Sequence, residues 1–356
     1  MTGAAAAAGA RTGRQRILAA LRRQPVDRTP VWFMRQAGRA LAGYRELRER
    51  FDILTITRTP ELCARVTLMP VSELGVDAAV LYADIMLPLI GMGVPFTIDP
   101  GVGPIVHQPV RTAADIARLQ EVGSAEDATP DLFTAIRLVR RELGEGTAVI
   151  GFAGGPFTVA SYMIEGRPSR DHALSKALMH GRPELWDHLM EILSRVTIRY
   201  LRAQVAAGVD AVQLFDSWVG ALSRRDYESR VLPHVSGIFE GVADLGVPRL
   251  HFGTGCSHLL ESMAGAGSEA ISVDWRLPLD EAWQRIGPHR GIQGNLDPTV
   301  LLAPWPVVAR ETRRVLGEAG GRDGHVFNLG HGVLPGTEAA TLRRVVDLVH
   351  QETARP

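Results

Sequence analysis

Arg35 and Arg39 close the segment Val-Trp-Phe-Met-Arg-Gln-Ala-Gly-Arg over residues 31–39, and no acidic side chain follows until Glu46. A guanidinium offers planar, bidentate donors that suit carboxylate or phosphate, and it keeps its charge near neutral pH. Two such groups at the end of an apolar run call for an external anion, a distant acid or plain solvation. Asp84 is the opposite charge in a similar setting. It follows the apolar run Ala78–Tyr82, and Arg65 is the one cationic residue within twenty positions on either side. Alone, Asp84 suits a helix N-cap or a structural ion pair. His331 lies between Gly330 and Gly332, on backbone too flexible for an ordinary packed core histidine.

Composition decides how these groups must act. The 356 residues carry 39 basic and 39 acidic side chains, so no global field draws the chain to nucleic acid or an anionic membrane. Anion recognition has to be local. The chain has one lysine, Lys176, within the helical-looking Ala173–Leu178. A Schiff base could form only there, where a solvated side chain is expected. Two distant cysteines, Cys63 and Cys256, offer neither a disulfide framework nor a Cys-x-x-Cys knuckle and fit a reducing compartment. Residues 1–13 read as an Ala- and Gly-rich disordered tail without the features of a signal peptide. The apolar stretch 76–98 is interrupted by Asp77, Asp84, two prolines and two glycines, which argues against a membrane span. A cytoplasmic protein is expected.

The elements that must position these groups alternate regularly. Candidate strands are Val31–Met34, Ala78–Tyr82, Ala148–Phe152, Ala211–Phe215, Arg249–Phe252, Ala270–Val273, Gly291–Gln293 and His325–Asn328. Amphipathic stretches such as Pro183–Ala207 and Asp226–Asp244 separate them, with apolar residues at helical spacing. Continuous apolar strands alternating with helices predict a parallel sheet covered on both faces. Eight of them predict an α/β fold of the (β/α)8 TIM-barrel type, in one domain over residues 14–351. A Rossmann arrangement is weaker, because no G-x-G-x-x-G follows any candidate strand. Nearly every strand runs into polar or flexible residues at its C-terminal end: Arg35, Asp84, Gly154-Gly155, Asp216-Ser217, Thr254, Asp274, Asn295 and His331. In such a barrel those ends share one face, and an active site is expected there.

The same residues fall inside longer blocks that resemble the uroporphyrinogen decarboxylase family. Two blocks carry the likeness: residues 30–39, Pro-Val-Trp-Phe-Met-Arg-Gln-Ala-Gly-Arg, and residues 151–166, Gly-Phe-Ala-Gly-Gly-Pro-Phe-Thr-Val-Ala-Ser-Tyr-Met-Ile-Glu-Gly. Shorter blocks support them, around Asp84 (Tyr-Ala-Asp-Ile), Ser217 (Phe-Asp-Ser-Trp), Asn295 (Gln-Gly-Asn-Leu-Asp-Pro) and His331 (Asn-Leu-Gly-His-Gly). The likeness covers essentially everything after the N-terminal tail. Ala83 stands where some relatives carry serine, which leaves the chemistry untouched. The resemblance implies a homodimeric barrel that needs neither metal nor organic cofactor. It also implies removal of carboxyl groups from the four acetate side chains of uroporphyrinogen, giving coproporphyrinogen for haem synthesis.

Residue by residue, Arg35 and Arg39 match the family's substrate-binding arginines. Gln36, Ala37 and Gly38 lie in the same loop, where backbone N–H groups can add donors. Asp84 matches an aspartate that accepts hydrogen bonds from the pyrrole N–H groups, and with Arg35 it is the expected catalytic residue. Tyr162 and Ser217 match substrate-contacting positions, although read alone they suit a core tyrosine and a helix cap. His331 is expected to hold a substrate carboxylate. Phe152, Phe157, Met34, Val80 and Tyr82 are expected to form an apolar wall. The source of the ring proton stays open among Arg35, bound water and a substrate carboxyl, and Arg35 is a poor acid. Two rival readings compete. A zinc-dependent, corrinoid-linked methyltransferase of the same fold would need His-x-Cys, but His251-Phe252-Gly253 lacks the cysteine. A non-catalytic tetrapyrrole-binding protein should have lost Asp84 or the arginines, and both are present.

Overall fold

The computed structural model describes residues 11–121 and 123–355. Nine strands form: β1 (Ala78–Val80), β2 (Phe96–Asp99), β3 (Gly103–Val106), β4 (Ala148–Gly154), β5 (Ala211–Phe215), β6 (Arg249–Phe252), β7 (Ala270–Ser272), β8 (Gly291–Leu296) and β9 (His325–Leu329). Seven of them make one parallel sheet in the order β1-β4-β5-β6-β7-β8-β9. Every residue of β4, β8 and β9 is buried. These three strands are covered on both faces, which is why they read as apolar runs rather than alternating ones. Strands β2 and β3 form a separate antiparallel hairpin after β1, an excursion the sequence pattern did not announce.

The sheet curls so that its two edges meet the same short segment. Val31 bridges Phe327 of β9 in parallel fashion. The Phe327 N–H donates to Pro30 O at 2.9 Å, and the Trp32 N–H donates to Phe327 O at 3.3 Å. On the other side, the Asp77 N–H ahead of β1 donates to Val31 O at 2.8 Å. The expected strand Val31–Met34 is thus a single bridge. It stops early because the chain turns at Phe33–Gln36, and because the Met34 N–H is taken by the Asn328 side chain at 3.1 Å. A buried polar layer ties the inner faces together: the Trp32 indole donates to Gln293 at 2.9 Å, and the Gln293 amide donates to Ser272 at 2.9 Å and to Gln213 at 3.1 Å.

Helices cover the outside. The longest, Pro183–Ala207, has the boundaries expected from its pattern, with Pro183 in its first turn and Gly208 ending it in a left-handed conformation. Trp186, Leu189, Leu193, Tyr200 and Leu201 lie on its buried stripe. The stretch Asp226–Asp244 does not form one helix. It divides into Arg224–Arg230, Leu232–Glu240 and a 3-10 turn at Ala243–Leu245. Pro233 lacks the N–H that a continuous helix would need at the break. Of the tail expected over residues 1–13, residues 1–10 lie outside the described residues. Thr12 caps a helix that begins at Gly13. Among the described residues, no helix is long and apolar enough to cross a membrane.

Candidate active site

The loop carrying the arginines is held from below. Gln36 is fully buried, and its side chain accepts from the Phe33 N–H at 3.0 Å and donates to Ala78 O at 2.9 Å, stapling the loop to β1. Arg35 adopts φ +60°, a left-handed conformation that costs a non-glycine residue about 1–2 kcal/mol. Its guanidinium is exposed, whereas Arg39 is half-buried. Among the described residues, neither guanidinium has a carboxylate within 4.0 Å. Burial and the neighbouring Arg35 charge both push the Arg39 pKa down. Two like charges kept together without an acid form a standing demand for an anion.

Asp84 sits just past β1. One carboxylate oxygen accepts from the Met86 N–H at 2.9 Å, and the other has no hydrogen-bond partner among the described residues. Desolvation raises its pKa, against the opposing pull of the Met86 N–H and Arg35. The Tyr162 hydroxyl also lacks a partner among the described residues, and its pKa is pushed up by burial and then by Asp84. Burial, followed by Arg35, Arg39 and Arg276, pushes His331 down to about 4. At neutral pH its ring is uncharged and presents one N–H donor.

His331 owes its place to both flanking glycines. A Cβ on Gly330 would come 2.5 Å from Trp275 N, and one on Gly332 would come 2.5 Å from Arg35 Cδ. The turn is therefore clamped between the end of β7 and the Arg35 stem, with no room for side chains on either side.

Hydrogen bonding divides the polar strand ends into two groups. Thr254 donates to Ser217 O, the Gly255 N–H donates to the Asp274 carboxylate, and the Asn295 amide donates to Asp274 O at 2.9 Å and Leu277 O at 2.7 Å. Asp216 accepts from Thr158. These residues stitch neighbouring strand ends together. Arg35, Arg39, one Asp84 oxygen, Tyr162, Ser217 and His331 keep side-chain hydrogen-bonding capacity that no described side chain uses.

Several expectations are corrected. The Gln36 and Gly38 N–H groups are not free donors: they close turns onto Phe33 O and Arg35 O, both at 3.0 Å. Of the three loop residues, Ala37 alone keeps its N–H outside these turns. Phe157 is fully buried against Trp186, with ring centroids 6.1 Å apart, and belongs to the core beneath the helices. The rings of Phe152, Phe215 and Phe252 meet edge-on at 5.3 and 5.6 Å and form an aromatic chain that leads to His331 at 6.3 Å. The hydroxyl of Tyr82 is paired with that of Tyr44 at 2.8 Å. Lys176 is not simply solvated, since its ammonium donates to Ala221 O at 2.6 Å. Sequence reasoning passed over Arg276, which pairs with Asp274 at 2.6 Å and lies 4.3 Å above the Trp275 ring. Its signal was its place two residues beyond Asp274 at a strand end. Among the described residues, no three His, Cys, Asp or Glu side chains gather in a metal-binding arrangement.

A curled parallel sheet with chemistry-bearing side chains at its C-terminal strand ends defines an enzyme of the parallel α/β class. The family model described as Uroporphyrinogen decarboxylase (URO-D) matches residues 12–352. Proteins called uroporphyrinogen decarboxylase from Thermobifida fusca and Sorangium cellulosum are each 55% identical to the chain. The alignments cover 95% and 94% of this chain and 92% and 95% of theirs. The corresponding protein of Roseiflexus sp. is 48% identical over 95% of this chain and 99% of its own. A solved methyltransferase from Methanosarcina mazei shares the fold at TM-score 0.78 and 21% identity, over 96% of this chain and 99% of that one. That likeness concerns the fold alone. The chain belongs to the uroporphyrinogen decarboxylase family.

Proposed function

We propose that the cleft at the C-terminal strand ends is where uroporphyrinogen is bound and its four acetate groups are decarboxylated, with Asp84 at the centre and arginines at the rim. The enzyme is a carboxy-lyase of tetrapyrrole biosynthesis, an assignment supported by relatives of that name at 48–55% identity over about 95% of the chain. The observation that carries the site assignment is the coexistence of two arginines without acids and one half-buried carboxyl with an oxygen that has no partner among the described residues.

The substrate presents eight carboxylates around four pyrrole N–H groups, so it needs cationic donors outside and an acceptor inside. Arg35 and Arg39 serve the carboxylates, each buried contact being worth about 1.5–3 kcal/mol. Tyr162, Ser217 and neutral His331 add uncharged donors. Loss of CO2 requires an electron sink, obtained by protonating the ring carbon that bears the acetate. Positive charge then spreads to the pyrrole nitrogen beside Asp84. At about 4 Å and an effective dielectric near 20 that pair is worth roughly 4 kcal/mol, about three decades in rate. The charge develops only after protonation, so Asp84 favours the transition state over the substrate. Pyrrole N–H donors also favour the ionised carboxylate, offsetting the rise that burial causes.

Three further features complete the reading. The hydrogen bonds of Pro30–Trp32 to both sheet edges support a closed (β/α)8 barrel. A homodimer and a cytoplasmic setting belong to the same proposal, the latter supported by two buried, unlinked cysteines. Anaerobic incubation with uroporphyrinogen, followed by chromatography of the oxidised products, is the direct test. Porphyrins with seven down to four carboxyl groups are expected, and their absence overturns the assignment.

A further inference from the structure

The helix Pro156–Glu165, which carries Tyr162, begins without a capping side chain of its own. Its N-cap is Gly155, and a Cβ there would fall 2.3 Å from Asp216 Cγ. The missing cap comes from the neighbouring strand. One oxygen of the fully buried Asp216 accepts from the Thr158 N–H at 3.2 Å and from the Thr158 hydroxyl at 2.8 Å. A carboxylate at the third N–H of a helix does what a capping Asp does, and the helix dipole favours it there.

Thr158 then passes the constraint on. Its hydroxyl oxygen accepts from the backbone N–H of Trp218 at 3.2 Å. The Trp218 ring lies 4.1 Å from the Tyr162 ring at 36°, and 4.8 Å from the His172 ring on its other flank. Tyr162 stands one turn beyond Thr158 on the same helix face. Ser217 is held between Asp216 and Trp218, and its carbonyl accepts from Thr254. One carboxylate therefore joins the helix bearing Tyr162 to the loop bearing Ser217.

We propose that Asp216 and Thr158 are positioning residues for the decarboxylation: by locking Trp218 against Tyr162, they aim the Tyr162 hydroxyl at the substrate. The proposal rests on the functional reading above. It explains why an aspartate with one oxygen lacking a partner among the described residues persists at full burial, and why Gly155 cannot carry a side chain.

The test is a double-mutant cycle with uroporphyrinogen as substrate. Thr158→Val should raise KM about tenfold and leave kcat within about twofold, because a substrate contact is misplaced rather than the reacting centre. Thr158→Ser should restore KM to within about threefold of the native value, since the hydroxyl is kept. Tyr162→Phe combined with Thr158→Val should be no worse than Tyr162→Phe alone, because Thr158 acts through that hydroxyl. Multiplying losses, or a native KM in Thr158→Val, would overturn the proposal. If Thr158→Val does not fold, Trp218→Leu enters the same cycle with the same expectations. Near-ultraviolet circular dichroism should lose intensity in Thr158→Val and keep it in Thr158→Ser. That signal is independent of turnover: a native protein that fails to decarboxylate sinks the functional reading, whereas unchanged dichroism in Thr158→Val sinks the clamp.

Discussion

Asp84 and Arg39 are both charged groups at one cleft, yet they should fail differently. Asp84→Asn keeps the shape and the Met86 contact but removes the charge proposed to face the developing pyrrole cation. Turnover should fall by about three decades while porphyrinogen binding persists, as read by single-turnover kinetics beside equilibrium binding. Near-native turnover in that variant would end the central-carboxylate role. Arg39→Glu should chiefly weaken binding, raising KM by about ten- to hundredfold, since a rim contact is shared by substrate and transition state. At this scale the sequence was informative about charge and mute about engagement. Arg35, Arg39 and Asp84 stood out by their lack of neighbouring partners. That Asp216 is spoken for by Thr158, while the Ser217 hydroxyl beside it has no partner among the described residues, depends on a contact between a helix and a strand end 58 residues apart in the chain.

At the scale of elements, the arginine loop depends on a single amide. Gln36→Leu leaves the Phe33 N–H and Ala78 carbonyl buried without partners, each costing about 1–3 kcal/mol. Thermal unfolding should show the loss, and activity should fall with it because Arg35 occupies a strained conformation that only the intact loop maintains. An unchanged melting temperature would contradict the staple. Sequence periodicity located the sheet strands and the helix Pro183–Ala207 well, since apolar spacing and terminal Pro and Gly are local signals. It overextended Val31–Met34 and joined Asp226–Asp244 into one helix. Both errors arise where a side-chain contact or a proline overrides the apolar pattern. The β2–β3 hairpin went unread because Pro95, Pro100, Gly101, Gly103 and Pro104 break the apolar pattern in and around it.

Across the whole molecule, buried ionisable groups set the response to acid. His251, His325 and His331 are all held down to about 4, burial being the largest cause for each. As pH falls from about 6.5 toward 4, the unfolded chain takes up these protons and the folded chain does not, so stability is lost. Asp84 and Asp216, both pushed up by burial and Asp216 to about 7, work in the opposite direction. His172 and His234 are lowered by burial as well, so five lowered histidines stand against two raised carboxyls and the balance in this window falls toward loss of stability with acid. Below it, carboxylates such as Glu121, held at about 2 by hydrogen bonds to Arg195, steepen the loss. Denaturant titrations between pH 4 and 8 should therefore show stability falling on the acid side, and a rise there would contradict the balance.

The bridge between Val31 and Phe327 joins residues near opposite ends of the chain. A ribosome releases the arginine loop almost 300 residues ahead of the strand against which it seats. Until β9 emerges, Arg35 and Arg39 belong to a nascent chain with an unsealed seam. The cationic loop must wait for the strand that seats it before it finds its place.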